Sequence, residues 1–309
     1  MTWLVHSLLP NKQFVALELI GEPQSGKTTT QNALLSLIDP TFVNCGIPKT
    51  DKDFDKLLLL NKYVVDFDNL DSLSKATQKK IAELLSGYVS EQNYLFKCPV
   101  IFNAIDSVVT ESILSDLTIT IDISNERFLS SPTDDPLQYL RSDIFAWILK
   151  AIHYVYFYNG YLNENVSRSP KMQDFCRTGI LLARMMDRSQ SEFSDQFSAN
   201  QKTRLQLQLD NLPVGLAIQS FLAANQDSQT THLPVSKWLE VLENYKPDGI
   251  AKADWPSNPK MLGAALKRVA PLLRKLEIRC VSQGKTGSNC EWEIMPQPKG
   301  GFDISSYRI

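Results

Sequence analysis

The stretch that most constrains this chain is Gly21-Glu22-Pro23-Gln24-Ser25-Gly26-Lys27-Thr28, a complete G-x-x-x-x-G-K-[ST] loop. Its surroundings give the letters meaning. Phe14 to Ile20 reads as a short buried strand, and Thr29 to Leu37 carries Ala33, Leu34 and Leu37 at helical spacing. Strand, loop and helix in this order are the setting in which the motif wraps phosphate. Gly21 and Gly26 allow the tight turn that aims successive N–H groups at phosphate oxygens, and the helix N-terminus adds partial positive charge. Lys27 is expected on the β- and γ-phosphates and the Thr28 hydroxyl on Mg²⁺, with Glu22, Pro23, Gln24, Ser25 and Thr29 completing the contact set for ATP. A second match, Gly284-Lys285-Thr286, has Arg279 in place of its first glycine and no helix pattern behind it, so it reads as coincidence.

Further on, Tyr63-Val64-Val65-Asp66-Phe67-Asp68-Asn69 reads as a buried strand ending in acid. A carboxylate there can hold the Mg²⁺ that accompanies bound phosphates. Asp66 and Asp68 share a face. Asp68 is the favoured metal residue, because ligands of open parallel sheets collect beyond the strand ends. Asn69 stands where a water-polarising acid would serve hydrolysis; an amide can orient water but cannot take its proton. Glu22 is an alternative carboxylate, or a solvent-facing loop residue. Pro99-Val100-Ile101-Phe102-Asn103 then ends a strand in an amide suited to touching the γ-phosphate or its water.

From 13 to 124, apolar strands (Phe14–Ile20, Tyr63–Asp68, Val100–Asn103, Thr118–Ile123) alternate with helical patterns, which predicts a parallel α/β sheet. Lys75 to Leu85 reads as one of the helices, with Ser74 as N-cap and Gly87 closing it. The linker Ser130 to Pro136 ends in a helix start. Leu140, Ile144, Ile148, Ile152 and Val155 follow at helical spacing, and further helices are expected at Met172–Met186, Glu192–Leu209 and Pro213–Ala224. After a second linker, Gln226 to Thr231, come two helices (Val235–Tyr245, Pro259–Leu276) and two strands (Glu277–Ser282, Cys290–Ile294), the order of a winged helix. The division read from this is an ATPase core at 1–128, a helical lid at 129–228, and a winged helix with tail at 229–309.

Five widely spaced cysteines and three scattered histidines argue against a disulfide framework, a zinc site or a His-based triad, and for a reducing cytoplasm. No apolar run has transmembrane length, and the start lacks a signal-peptide pattern. Net charge is −2, so any nucleic-acid surface must be local. One is visible: between Lys260 and Lys285 lie Lys260, Lys267, Arg268, Arg274, Lys275, Arg279 and Lys285 against the single acid Glu277. On the 259–276 helix, Lys260, Lys267, Arg274 and Lys275 can share a face opposite Leu262, Leu266, Val269 and Leu273. A basic helix beside a wing suits a DNA groove and its phosphates; a solvated face on a protein-docking domain is the alternative.

The runs GEPQSGKTT, VVDFDNLDSLSK and CPVIFNAID, together with SPKMQDF (Ser169–Phe175) and WPSNPKMLGAALKRVAPLLRKLEI (Trp255–Ile278), resemble the AAA+ ATPase module of phage, plasmid and integrative-element replication proteins. These are primase–helicases and self-loading helicases related to superfamily 3 and to MCM. The resemblance covers nearly the whole chain. It implies an AAA+ core, a helical region and a C-terminal winged helix. It also implies an ATP- and Mg²⁺-dependent helicase or translocase, without a membrane partner, that forms a ring, most simply a hexamer, on single-stranded or forked DNA. A primase domain ahead of this chain, or a separate primase, would be its companion, in a bacterial or archaeal cytoplasm. One departure bears on catalysis. The family carries an arginine just before the strand that follows the sensor, where this chain has Leu114-Ser115-Asp116-Leu117, and no arginine precedes Arg127. Arg127 or Arg141 is the expected substitute; Lys97 could supply charge but not the guanidinium fork. With Asn69 in place of an acid, the alternative is a weakly hydrolysing ATP switch, an initiator or helicase loader that binds DNA.

Overall fold

The computed structural model describes residues 1–10, 12–41, 46–48, 50–60, 63–90, 93–123, 136–161, 172–225, 231–251, 254–286 and 289–296; for 51, 136–139, 161, 231, 285–286 and 289 only the backbone is described. The chain divides into two compact units, Met1–Arg204 and Leu205–Ile309. No helix among the described residues is long and apolar enough to cross a membrane.

The first unit runs α1 (Thr2–Ser7), β1 (Ala16–Ile20), α2 (Lys27–Ile38), α3 (Asp51–Leu60), β2 (Val65–Leu70), α4 (Lys75–Ser86), β3 (Tyr88–Val89), β4 (Leu95–Phe96), β5 (Val100–Ala104), α5 (Ser112–Ser115), β6 (Thr118–Asp122), α6 (Pro136–Tyr158), α7 (Gln173–Met185) and α8 (Gln190–Asp210), inside which the units meet in sequence. Its sheet is parallel, in the order β2-β5-β1-β6. Parallel strands are covered on both faces, which is why they read as near-continuous apolar runs. On one face Ala16, Phe67, Val100 and Phe102 pack with Phe54, Leu58, Ile81, Leu84 and Leu85 of α3 and α4. On the other, Leu17, Leu19, Ile101 and Ile119 pack with Leu35 of α2, Trp3 of α1 and Phe175 of α7. The α4 helix begins as its sequence dictates: Ser74 accepts from the Thr77 N–H, and Gly87 (φ 133°) ends it.

Two polar devices hold this unit. Glu18, fully buried in mid-strand, accepts from the Ser107 hydroxyl, the Val108 N–H (3.0 Å), the Thr120 hydroxyl (2.6 Å) and Arg204 Nη1 (3.0 Å). Arg204, 2 % exposed, also donates to Thr120 Oγ1 and to Ser115 Oγ at 3.1 Å. Burial pulls the guanidinium below its ordinary pKa, and the facing Glu18 carboxylate opposes that shift. Nearby, Asn200 brackets Thr120 on the outer strand β6: its Oδ1 accepts from the Thr120 N–H and its Nδ2 donates to the Thr120 carbonyl.

Ala151 and Val155 of α6 pack with Val5 and Leu9 of the first helix region and with Leu181 and Leu182 of α7. The α1 helix itself was not legible; Trp3 anchors it by donating to the Val15 carbonyl at 2.9 Å.

The second unit holds α9 (Pro213–Ala224), β7 (Thr231–Pro234), α10 (Val235–Glu243), α11 (Pro259–Lys275), β8 (Ile278–Thr286) and β9 (Asn289–Pro296). Three antiparallel strands lie in the order β7-β9-β8. Trp238, Leu242, Leu262, Leu266, Val269, Leu273, Trp292 and Ile294 form its core together with Val214, Ala217 and Ile218 of α9. The helix at 213–224, read from sequence as part of the lid, thus packs with the C-terminal elements. The 226–230 linker lies outside the described residues, but Thr231 already belongs to a strand the sequence did not disclose.

Candidate nucleotide site and basic C-terminal face

The loop after β1 has the geometry its glycines predict. Gly26 (φ 90°) and Gln24 (φ 67°) are left-handed, and Gly21 turns at φ 151°. Gly26 is also the N-cap of α2 and supplies no side-chain cap, so the first-turn N–H groups are left to another acceptor. Lys27 is buried at 8 % exposure and donates to the carbonyls of Gly21 (2.8 Å) and Glu22 (2.7 Å). Ser25 Oγ is buried and has no partner among the described residues. Glu22, Pro23 and Gln24 are exposed at the rim, as are Thr28 and Thr29. Uncapped N–H groups, a lysine held over the turn and an orphaned hydroxyl fit a polyphosphate.

The acid and the amide arrive from neighbouring strands. Because β5 lies between β1 and β2, and Phe67 is level with Phe102, Asp68 and Asn103 stand side by side. Asn103 Nδ2 donates to Asp68 Oδ1 at 2.6 Å, and the Thr28 hydroxyl donates to the same oxygen at 2.9 Å. The register of β2 slips between Phe67 and Leu70, a bulge of the kind that re-aims side chains beside sites. Asn69 sits in it at φ 52°, which Asn tolerates better than most residues, and its N–H donates to Asn103 Oδ1 at 2.9 Å. Asn69 is therefore tied to the site through its backbone. Asp66, one pleat deeper, is 1 % exposed; burial pushes its carboxyl up to about 6, against a hydrogen bond from Gln31 that pulls it down.

Gln31 is the residue that sequence reasoning missed. It reads as a polar position on a helix surface, yet it is fully buried one turn after Lys27, with its amide between Asp66 and Asn103.

The two arginine candidates fare differently. Arg127 lies outside the described residues. Arg141 is exposed and donates to the Ser36 carbonyl at 2.8 Å, near the C-terminal end of α2. That is about 13 Å along the helix from Lys27, so within one chain it does not reach its own loop. Near Ser115 the structure supplies Arg204, but that side chain is buried on Glu18 and serves the fold.

In the second unit, Asn258 caps α11 by accepting from the Met261 N–H, with Pro259 at the first turn. Leu262, Leu266, Val269 and Leu273 are buried, and Lys260, Lys267, Arg268 and Lys275 are exposed, with Arg274 half-buried. Arg268 departs from the lysine row. With Met261, Ala264 and Ala265 it lines a cavity of about 640 Å³ that also takes in Trp255, Pro256 and Leu212. Arg279 is engaged by Glu293 at 2.9 Å. Gly284-Lys285-Thr286 falls in β8, a strand and not a loop before a helix; the Lys285 side chain is outside the description.

These features define an α/β protein whose parallel sheet gathers a glycine-turned loop, an acid and an amide at one end. Residues 214–299 match the family described as the AICE RepA C-terminal domain. No curated protein matches the chain. Among solved structures it is similar to the helicase of JCV. The inhibitor-bound structure is 14% identical over 61% of this chain and 64% of that one, and a second is 15% identical over 62% and 61%, both at a TM-score of 0.30. This chain thus spans less than two thirds of the helicase chains it matches.

Proposed function

We propose that this protein is an ATP-dependent DNA helicase or translocase, acting as a ring in the replication of a phage or other mobile element. The observation that carries the reading is the meeting of Thr28, Asp68 and Asn103 beside the Lys27 loop. Lys27 and the N–H groups of residues 25 to 29 would hold the phosphates of ATP. Thr28 and Asp68 would hold Mg²⁺, whose remaining positions go to phosphate oxygens and water, as this ion prefers. Bound Mg²⁺–ATP would supply the phosphoryl group and the charge neutralisation that its transfer needs. The placing of the sensor strand β5 between the loop strand β1 and the acid strand β2 supports an AAA+ core.

The order α9-β7-α10-α11-β8-β9, with a closing hairpin, supports a C-terminal winged helix, and the RepA match over 214–299 supports a replication setting. DNA would meet the Lys260, Lys267 and Lys275 face of α11. The β3–β4 hairpin adds an exposed aromatic, Tyr94 at 57 % exposure, of the kind on which bases stack. Hexamerisation would bring Arg127 or Arg141 to a neighbour's nucleotide. A primase partner or domain and a cytoplasmic site of action in the host cell complete the proposal.

Two measurements test its centre: ATP turnover with single-stranded DNA, and particle mass with a non-hydrolysable ATP analogue. Lys27→Ala is expected to abolish turnover while circular dichroism is unchanged. Wild-type turnover in that variant sinks the ATPase reading, and a particle that stays monomeric on DNA sinks the ring. A second reading rests on Asn69, an amide where an acid would serve hydrolysis: an ATP switch that loads or initiates. Tight Mg²⁺-dependent ATP binding with hardly any turnover by the wild type would select it.

A further inference from the structure

Asn103 can act on Asp68 only if its amide faces the right way. An asparagine amide has two orientations of similar shape and opposite chemistry, and the surrounding network decides between them. Here the decision is made from behind. Gln31 Oε1 accepts from Asn103 Nδ2 at 2.9 Å, so the Asn103 NH₂ must face Gln31 and Asp68, and its oxygen must face the Asn69 N–H. The Gln31 amide is itself fixed, because both groups facing its nitrogen are acceptors: Asp66 Oδ2 at 3.5 Å and the Phe67 carbonyl at 3.4 Å. Gln31, Asp66 and Asn103 are all at most 1 % exposed, so bulk water has no access to the links among these three side chains. A relay therefore runs from Asp66 through Gln31 and Asn103 to the oxygen of Asp68 that Thr28 also holds.

We propose that Gln31, backed by Asp66, is a positioning residue that locks the Asn103 amide and, through it, the Asp68 carboxylate that would hold Mg²⁺. The proposal rests on the nucleotide reading above. It explains why a helix residue one turn beyond Lys27 is an amide and not the leucine its burial would favour. It also gives Asp66 a role distinct from that of a metal ligand.

The test is the Mg²⁺ dependence of binding to a fluorescent ATP analogue, with turnover as a second readout. Gln31→Met keeps the length and helix propensity but removes all three hydrogen bonds. It should raise the Mg²⁺ concentration needed for half-maximal binding by about 10- to 100-fold, the scale of losing a group that orients a metal ligand. Metal-free analogue binding should change little. The double variant Gln31→Met/Asn103→Ala should be no worse than Asn103→Ala alone, since both act through one path. Asp66→Leu, which removes the acceptor behind the Gln31 NH₂, should shift the Mg²⁺ requirement in the same direction. If Gln31→Met does not fold, Gln31→Leu takes its place: it suits a buried helix position, offers neither donor nor acceptor, and is expected to shift the Mg²⁺ requirement in the same direction. Additive losses in the double variant, or an unchanged Mg²⁺ requirement, overturn the proposal. Should Lys27→Ala also bind and turn over ATP normally, the nucleotide reading has failed; if Lys27→Ala is inert, only the positioning role has.

Discussion

Thr28 and Asp68 are forty positions apart in sequence, and the hydroxyl of one donates to the carboxylate of the other at 2.9 Å. One comes from the first turn of α2 and the other from the bulged end of β2. Their meeting fixes where a divalent cation could sit. We expect Asp68→Asn, which preserves size, to lower ATP turnover on the order of 100-fold or more, the scale of losing one preorganised electrostatic group. Steady-state hydrolysis with Mg²⁺ checks this, and wild-type turnover would move the metal role elsewhere.

Asn69 reaches the site through its N–H and holds a left-handed backbone. Asn69→Gly keeps both features, so turnover should be retained. Asn69→Val should cost about 1–2 kcal/mol in stability, because a β-branched residue resists that conformation. If Asn69→Gly instead loses turnover with the fold intact, the side chain orients water after all.

Arg204 and Glu18 are a buried ion pair whose partners are surrounded by further donors and acceptors. Arg204→Met leaves the Glu18 charge without its counter-ion and should destabilise the first unit by roughly 3–5 kcal/mol. Urea unfolding measures it, and a change under 1 kcal/mol would mean that Ser107, Val108 and Thr120 suffice for the carboxylate.

His6 is buried between Phe14 and Phe175, and burial pulls its pKa from 6.5 to about 4. In the unfolded chain it takes up a proton near pH 6.5, and in the folded chain only near 4. Stability is therefore unaffected by this group above pH 6.5 and falls as pH drops from 6.5 to about 4, by about 3 kcal/mol in all. His6→Asn should flatten that part of the profile; an unchanged slope would place its origin in other groups.

On α11, Lys260→Glu with Lys267→Glu should weaken DNA binding and reduce the slope of log affinity against log salt by about 1.5–2, the loss of two phosphate contacts. ATP hydrolysis without DNA should be unaffected. Arg268→Glu should do less, since Arg268 lines the cavity beside Trp255. Equal effects of all three would return Arg268 to the lysine face.

The glycine loop, its strand and its helix were legible because the pattern is local: glycines, lysine and threonine lie within eight residues of one another. Asp68 was separable from Asp66 by its place at the strand end, although the bulge that aims it left no mark beyond an asparagine. What stayed hidden depends on partners distant in sequence. Glu18 reads as a lapse in an apolar strand until Arg204 is brought to it, and Gln31 reads as helix surface until two strands close over it. Strand β7 is short and ends at Pro234, too little pattern to separate from a linker; it is a strand because β9 offers it an edge. Arg141 could be placed in a helix from sequence, but sequence cannot say which end of α2 it meets within the chain.

The bracket that Asn200 places on Thr120 has a consequence for the sheet as a whole. A carboxamide offers the same donor and acceptor as a peptide unit, so Asn200 imitates one residue of a neighbouring strand and then stops. The outermost strand is thereby given a partner that cannot be extended, and a passing β-segment from another molecule finds the central rung taken. In a protein proposed to work in several copies, a single amide on a helix would thus stand against sheet-to-sheet coalescence.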